Sequence, residues 1–159
     1  MALSGSISPA AGTTDGDRTG HGHSPHAPSP RDFGLLLEHT PRASATARHE
    51  ARRVLVDWGL EDEQVHTVLL VVSELVTNAV THARPPVILH LRDTQEGTGH
   101  VQVHVSDGGP RTAPLTWAAN RADDEHGRGT DIVAALTRDT GTDLDGDGLI
   151  DHWATLSVD

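Results

Sequence analysis

One predicted helix, from about Glu61 to Ala83, constrains this chain more than any other stretch. Its apolar residues recur at helical spacing and predict one buried stripe: Val65, Val68, Leu69, Val72, Leu75, Val76 and Ala79. Beside the stripe, Glu74, Asn78 and His82 stand four residues apart and form one polar row. Such a row is usually a solvated flank. However, a carboxylate and an amide one turn apart can also place a base and a metal ligand in the same small volume.

The composition excludes several classes of chemistry. The chain has 159 residues and no cysteine, so it predicts one domain without disulfides, thiolate metal sites or a cysteine nucleophile. Its twelve basic residues are all arginine, which removes a Schiff-base lysine and a P-loop lysine. The formal net charge of -11 opposes binding to nucleic acid or to an anionic membrane. A triphosphate site would therefore need a divalent cation, local arginine and backbone donors.

Two regions are expected from the distribution of apolar residues. Residues 1–30 are rich in Gly, Ser, Pro, Thr and His and predict a disordered tail, in which His21, His23 and His26 make a poor specific metal site. Residues 31–159 predict the folded domain. No signal peptide, apolar span of membrane length or lipidation pattern is evident, so a cytoplasmic location without membrane contact is expected.

The order of the predicted elements indicates the fold class. Besides the central helix, the sequence predicts strands at 32–37, 87–91 and 100–106, a helix from Thr40 to Asp57, a helix from about Thr130 to Thr137, and a closing hairpin at 139–144 and 149–158. In the first helix, Thr40 reads as the N-cap and Pro41 as the first helical residue. These elements predict an α+β two-layer sandwich, in which helices cover one face of a mixed, mostly antiparallel sheet.

Two glycine-containing segments could serve a nucleotide site together with the polar row. In the first glycine segment, Asp107–Pro110, the carboxylate of Asp107 could accept a hydrogen bond from an adenine amino group, and Gly108 and Gly109 would allow close approach. In the second glycine segment, Gly127–Gly129, backbone donors at a helix start and the Arg128 guanidinium could bind phosphate. The irregular stretch from 111 to 126 between them predicts a mobile loop.

Together, these features resemble the GHKL superfamily of ATPases and kinases. Ser73 to His82 is most similar to the N box of small bacterial anti-sigma factor serine/threonine kinases, Val105 to Pro110 falls at their first glycine box, and Gly127 to Val133 at their second. The resemblance implies a Bergerat-type ATP-binding fold with a lid between the glycine boxes. It also implies Mg²⁺ held through Asn78, adenine read by Asp107, and Glu74 as general base.

The resemblance further implies partners and a reaction. Kinases of this type typically form homodimers, hold a sigma factor inactive, and phosphorylate a serine on a STAS-class anti-anti-sigma protein. Two departures favour an alternative, a non-catalytic module that sequesters a partner on the same fold. The first glycine segment lacks the second glycine of the fuller Asp-x-Gly-x-Gly pattern, and Asp131 puts a negative charge near the expected phosphates.

An acidic turn from Asp143 to Asp151 allows a further alternative. Its aspartates and Gly148 follow the spacing of an EF-hand loop, although Ala154 stands where the bidentate glutamate belongs. Asp-Gly sequences are also common connectors of β-hairpins. The sequence therefore favours a hairpin turn and leaves Ca²⁺ binding as the lesser alternative.

Overall fold

A computed structural model describes residues 31–94, 99–111 and 124–158 of the chain. The side chains of residues 124–128 are not among those described. The predicted tail, residues 1–30, and most of the predicted mobile loop, residues 112–123, lie outside this part of the chain.

The described residues form five strands and three helices, in the order β1 (Asp32–Leu37), α1 (Ala43–Asp57), α2 (Asp62–His82), β2 (Val87–Asp93), β3 (His100–Asp107), α3 (Asp124–Leu136), β4 (Asp139–Leu144) and β5 (Ile150–Ser157). The strand order across the sheet is β1-β2-β3-β5-β4, and all four of these pairings are antiparallel. The predicted α+β sandwich is thus confirmed. The prediction that the sheet is mixed is wrong for the described residues, because their pairings are all antiparallel. Two of the four pairs, β2–β3 and β4–β5, are hairpins of consecutive strands, whereas α1 and α2 lie between β1 and β2, and α3 and β4 lie between β3 and β5.

The alternation of side chains along the strands gives the sheet two different faces. The inner face is apolar and packs on α2, with Leu89, Val103 and Leu156 almost completely buried. Burying side chains of this size contributes about 1.5 to 3 kcal/mol each. The outer face is polar, since His90, His104 and Ser106 alternate with those inward residues. The helices therefore lie on one side of the sheet, as predicted.

Helix α2 forms the centre of the inner layer. Its N-terminus is closed by a capping box in which the backbone N–H of Glu61 donates to Oε1 of Gln64 at 2.7 Å. Its apolar stripe is buried against α1 and the sheet. By length and composition alone, α2 is long and apolar enough to cross a membrane, so the prediction that no apolar span has that length is wrong. Half of that span is nevertheless buried inside the fold, as in the core helix of a globular domain.

Two predicted helix starts differ from the observed ones. Helix α1 begins at Ala43 with Arg42 as its N-cap, so Thr40 is not the capping residue. The Thr40 hydroxyl instead accepts the backbone N–H of Arg42 at 3.3 Å, in a turn ahead of the helix. Helix α3 begins at Asp124, not at about Thr130. Acidic residues such as Asp124 and Glu125 are favoured in a first helical turn, and the helix continues through the two glycines that follow despite their poor helix propensity.

Candidate functional site

A cavity of about 560 Å³ opens where α2, α3 and the ends of β3, β4 and β5 meet. Three features that the sequence singled out contribute residues to its wall: the polar row of α2, the first glycine segment and helix α3. Its lining residues are Leu75, Asn78, Ala79, His82, Ala83, Asp107, Pro110, Thr130, Thr142, Ile150 and His152. Apolar walls with a few convergent polar groups are typical of a small-molecule site.

The polar row of α2 faces this cavity and helix α3. Asn78 and His82 line the cavity directly. One turn earlier, the Glu74 carboxylate packs so closely on Gly129 that a Cβ built there would overlap its Oε2 atom and lie 2.9 Å from its Cδ. The row is therefore not a solvated flank of α2 along its whole length, although His82 at its end is exposed. Helix packing thus brings Glu74 and the second glycine segment together.

Asp107 lines the cavity and is 1% exposed. Its Oδ1 accepts the backbone N–H of Gly109 at 2.8 Å, and its Oδ2 accepts Nε2 of His152 at 3.1 Å. A buried carboxylate requires such donors, because burial without them would cost several kcal/mol. The predicted base-reading residue is therefore in the cavity wall, and it already has two protein partners.

Backbone hydrogen bonds join the first glycine segment to the end of α2. The N–H of Gly108 donates to the Arg84 carbonyl at 2.7 Å, and the N–H of Arg84 donates to the Gly109 carbonyl at 2.8 Å. A Cβ at position 108 would overlap the carbonyl oxygen of Pro85, so this approach requires glycine. Gly109 has a φ of 88°, in the left-handed region. These contacts fix the positions of Asn78 and Asp107 relative to each other.

The second glycine segment lies inside α3 rather than ahead of it. The free N–H groups of an α-helix are those of its first turn, so Gly127 stands at the edge of that turn and Gly129 beyond it. The free backbone N–H donors of α3 therefore belong mainly to the residues before Gly127. The sequence predicted them at Gly127 and Gly129. Gly129 is buried against Glu74, and the Arg128 side chain lies outside the described residues.

Comparison with known proteins agrees with this geometry. Residues 37–150 match the family model of the histidine kinase-like ATPase domain, which is most of the chain. The chain belongs to the histidine kinase-like ATPase domain family. The matched residues include α2 and both glycine segments, and a domain of this family implies the use of ATP. No curated protein matches the chain.

A solved structure has the fold of this histidine kinase-like ATPase domain. It contains the RsbU and RsbW domains of Rv1364c from Mycobacterium tuberculosis, and it aligns with a TM-score of 0.56 at 22% identity. The alignment covers 83% of this chain and 33% of that one, so the present chain spans about a third of the length of that protein. At this identity the likeness shows a shared fold.

His152 is a cavity residue of this histidine kinase-like ATPase domain that the sequence analysis missed. The Asp107 hydrogen bond raises its pKa from 6.5, and the charges of Asp107 and Asp151 add to that effect, while burial opposes it. Its Nδ1 lies 3.2 Å from the hydroxyl of Thr142 on β4. The signal was present in the predicted strand 149–158, because His152 alternates in phase with Ala154 and Leu156, which are buried.

The acidic turn of this ATPase-family domain connects β4 and β5 as a hairpin. Asp143 accepts Nε1 of Trp153 at 2.9 Å, Asp145 accepts the N–H of Asp147 at 3.1 Å, and Asp151 accepts the Ser106 hydroxyl at 3.2 Å. Among the side chains that the structure describes, in residues 31–94, 99–111 and 129–158, no group of three or more His, Cys, Asp or Glu could hold a metal ion. The turn therefore has a structural explanation and the Ca²⁺ alternative has no support here.

Proposed function

We propose that this protein is an ATP-binding regulatory kinase of the anti-sigma type, which transfers the γ-phosphoryl group of ATP to a serine or threonine of a STAS-class partner. The observation that carries the proposal is that Asn78 and Asp107 line one cavity, while Glu74, one turn before Asn78, contacts Gly129, which precedes a residue of the cavity wall on α3. Phosphoryl transfer depends mainly on positioning and charge neutralisation, so few protein groups are required. Membership of the ATPase-domain family supports the choice of ATP.

The cavity residues divide into base-binding and phosphate-side groups. In the proposal, Asp107 accepts a hydrogen bond from the adenine amino group in the cavity that it lines. The Asn78 amide oxygen, a hard neutral ligand, is suited to complete the shell of Mg²⁺ when ATP phosphates supply other ligands. Bound Mg²⁺ would neutralise negative charge on the phosphates. Thr130 of α3 lines the same cavity as Asn78, so the proposal places α3 next to the phosphates of ATP.

Glu74 is proposed as the general base. Its carboxylate would take the proton from the partner's hydroxyl as that oxygen bonds to the γ-phosphorus, and the bond from the γ-phosphorus to the β–γ bridging oxygen breaks to release ADP. The position of Glu74, one turn from Asn78 and against Gly129, supports this role because it puts the carboxylate near the phosphate side.

The proposed partners follow from the resemblance of the N box to anti-sigma factor kinases. The protein would sequester a sigma factor, phosphorylate a STAS-domain anti-anti-sigma protein, which then dissociates, and act as a cytoplasmic homodimer. The name of the solved neighbour, which includes an RsbW domain, supports a search among proteins of this regulatory class.

Calorimetric titration with ATP, with and without Mg²⁺, tests the nucleotide part of the proposal. Wild-type protein should bind ATP in a Mg²⁺-dependent manner, and Asn78→Ala should lose that dependence. Gln102→Ala is a matched control, because it removes an amide from the outer face of the sheet and should bind as wild type does. If Asn78→Ala binds Mg-ATP as tightly as wild type, the metal assignment is wrong.

Label transfer tests the catalytic part. Protein incubated with γ-labelled ATP and candidate STAS proteins should label the acceptor, and Glu74→Ala should keep ATP binding but lose transfer by about 100-fold or more. Transfer at the wild-type rate by Glu74→Ala would remove Glu74 from the mechanism.

A non-catalytic sequestering module is the second candidate. Two observations favour it: Asp107 already accepts hydrogen bonds from Gly109 and His152, and Asp131 is exposed on α3 one residue after Thr130 of the cavity wall. ATP binding without label transfer to any acceptor, combined with capture of a sigma factor, would support this module over the kinase.

A further inference from the structure

His152 lies beside the carboxylate of Asp107, the proposed base-reading residue, at the cavity that a ligand would enter. Its Nε2 contacts Oδ2 of Asp107 at 3.1 Å, and its side chain is 39% exposed, whereas that of Asp107 is 2% exposed. Both residues line the cavity. A ligand that approaches Asp107 through the cavity therefore meets the imidazole and the carboxylate together.

The hydrogen bonds around His152 define what each nitrogen does. The carboxylate of Asp107 accepts only, so Nε2 carries a proton and donates to it. Thr142 can either donate to Nδ1 or accept from it, because its hydroxyl rotates. The contact with Asp107 is therefore available in both the neutral and the charged imidazole.

The two partners of Asp107 limit the acceptor capacity that remains. A carboxylate has about four acceptor positions. Gly109 occupies one on Oδ1, and His152 occupies one on Oδ2. About two positions remain, one on each oxygen, and a single donor such as the exocyclic amino group of adenine needs only one of them. Guanine presents adjacent N–H donors on its ring and amino nitrogens, and these fit an open carboxylate edge. Without the imidazole, Oδ2 would be open to such a pair.

On the basis of these contacts, and resting on the proposed ATP-binding function, we infer that His152 determines purine specificity: it restricts Asp107 to one base contact and so favours adenine over guanine nucleotides. This assigns to β5 a specificity residue that lies beyond residues 37–150 of the family match. It also explains why a polar residue occupies the inner face of β5 next to Ala154 and Leu156.

Calorimetric titration of four proteins with Mg-ATP and Mg-GTP tests the inference. The measured quantity is the ratio of the GTP and ATP dissociation constants. Wild type should prefer ATP, and His152→Ala should lower the ratio by at least about fivefold, since one good base contact discriminates by 1 to 3 kcal/mol. His152→Gln retains an N–H donor for Asp107 and should keep the ratio near the wild-type value.

His104→Gln is the matched control, because His104 makes a similar contact with Asp151, Nδ1 to Oδ2 at 2.7 Å, on the outer face. The ratio of the GTP and ATP dissociation constants of His104→Gln should equal that of wild type. Equal weakening of both nucleotides in His152→Ala would mean that His152 only supports the fold, and it would overturn the inference. If wild type binds both nucleotides with equal affinity, the inference is also overturned, but the proposed ATP-binding function stands. Binding of neither nucleotide would instead overturn the proposed function itself.

Discussion

The two glycine segments use their glycines for different physical reasons. In the first, Gly108 allows two backbone segments to approach, because an added Cβ would overlap the carbonyl of Pro85. In the second, Gly129 leaves room for the end of one flexible side chain, that of Glu74. A backbone contact cannot relax without moving the chain, whereas a glutamate can rotate away. The first segment therefore constrains the fold, and the second constrains the position of one carboxylate.

This comparison predicts the largest effect for Gly108→Ala. The Cβ would also lie 2.9 Å from the carbonyl oxygen of Arg84, which accepts the Gly108 N–H. Overpacking of this kind should lower the free energy of unfolding by about 3 kcal/mol, measured by urea denaturation. Gly146→Ala has nothing within 4 Å of its Cβ and should change little. Equal stability of the two variants would contradict the backbone role of Gly108.

Gly109→Ala should have an intermediate effect. The φ of Gly109 is 88°, and a left-handed residue with a Cβ costs about 1 to 2 kcal/mol. Gly148→Ala is a matched control, because its φ is 82° in the hairpin turn, far from Asp107 in sequence. Both variants should lose similar stability in urea, but only Gly109→Ala should weaken ATP binding by calorimetry, since a change of backbone conformation at this position would shift the N–H that donates to Asp107. Equal loss of ATP binding in both would break this distinction.

Gly129→Ala should change stability less. Alanine improves helix propensity by about 1 kcal/mol, but its Cβ displaces Glu74, and the two effects oppose each other. A double-mutant cycle with Glu74→Ala separates them: without the carboxylate, Gly129→Ala should stabilise the protein by roughly 0.5 to 1 kcal/mol. A cycle without coupling between these positions would show that Glu74 and Gly129 do not constrain each other.

The smallest predicted effect concerns the protonation of His152, which contacts Asp107 of the first glycine segment. Because the pKa of His152 is raised from 6.5, the folded state holds this proton more tightly than the unfolded state. The resulting stability is present in full below a pH of about 6.5 and is lost as the pH rises through the raised pKa. The stability difference between wild type and His152→Gln should therefore be more favourable to wild type at about pH 6 than at about pH 8. A pH-independent difference, as expected for Gly146→Ala, would contradict this linkage.

Periodicity predicted the fold well where one face of an element is buried. Strand β1 lies where the sequence placed it, and α2 is bounded by Glu61 and Ala83, its caps. From Val65 onward α2 has apolar residues at helical spacing, and β1 ends in a short apolar run. The start of α3 was missed because two glycines interrupt its pattern, and glycine signals a boundary more often than a helix interior.

The site was predictable in part for a similar reason. Asn78 and Asp107 were found because each stands in a recognisable local pattern, and both line the cavity. His152 was missed because its role depends on β3 lying beside β5, a pairing between residues far apart in sequence. Short motifs describe neighbours along the chain, and the Asp107–His152 contact exists only after the sheet has formed.

The hydrogen bonds between residues 82–84 and residues 108–111 have a consequence for local opening. The N–H of Arg111 donates to the His82 carbonyl at 2.9 Å, and Ala83 forms a β-bridge with Pro110. The end of α2 and the first glycine segment should therefore open as one cooperative unit in native-state hydrogen exchange. A ligand that contacts either Asn78 or Asp107 would slow amide exchange at both, although 28 residues separate Ala83 from Arg111 along the chain.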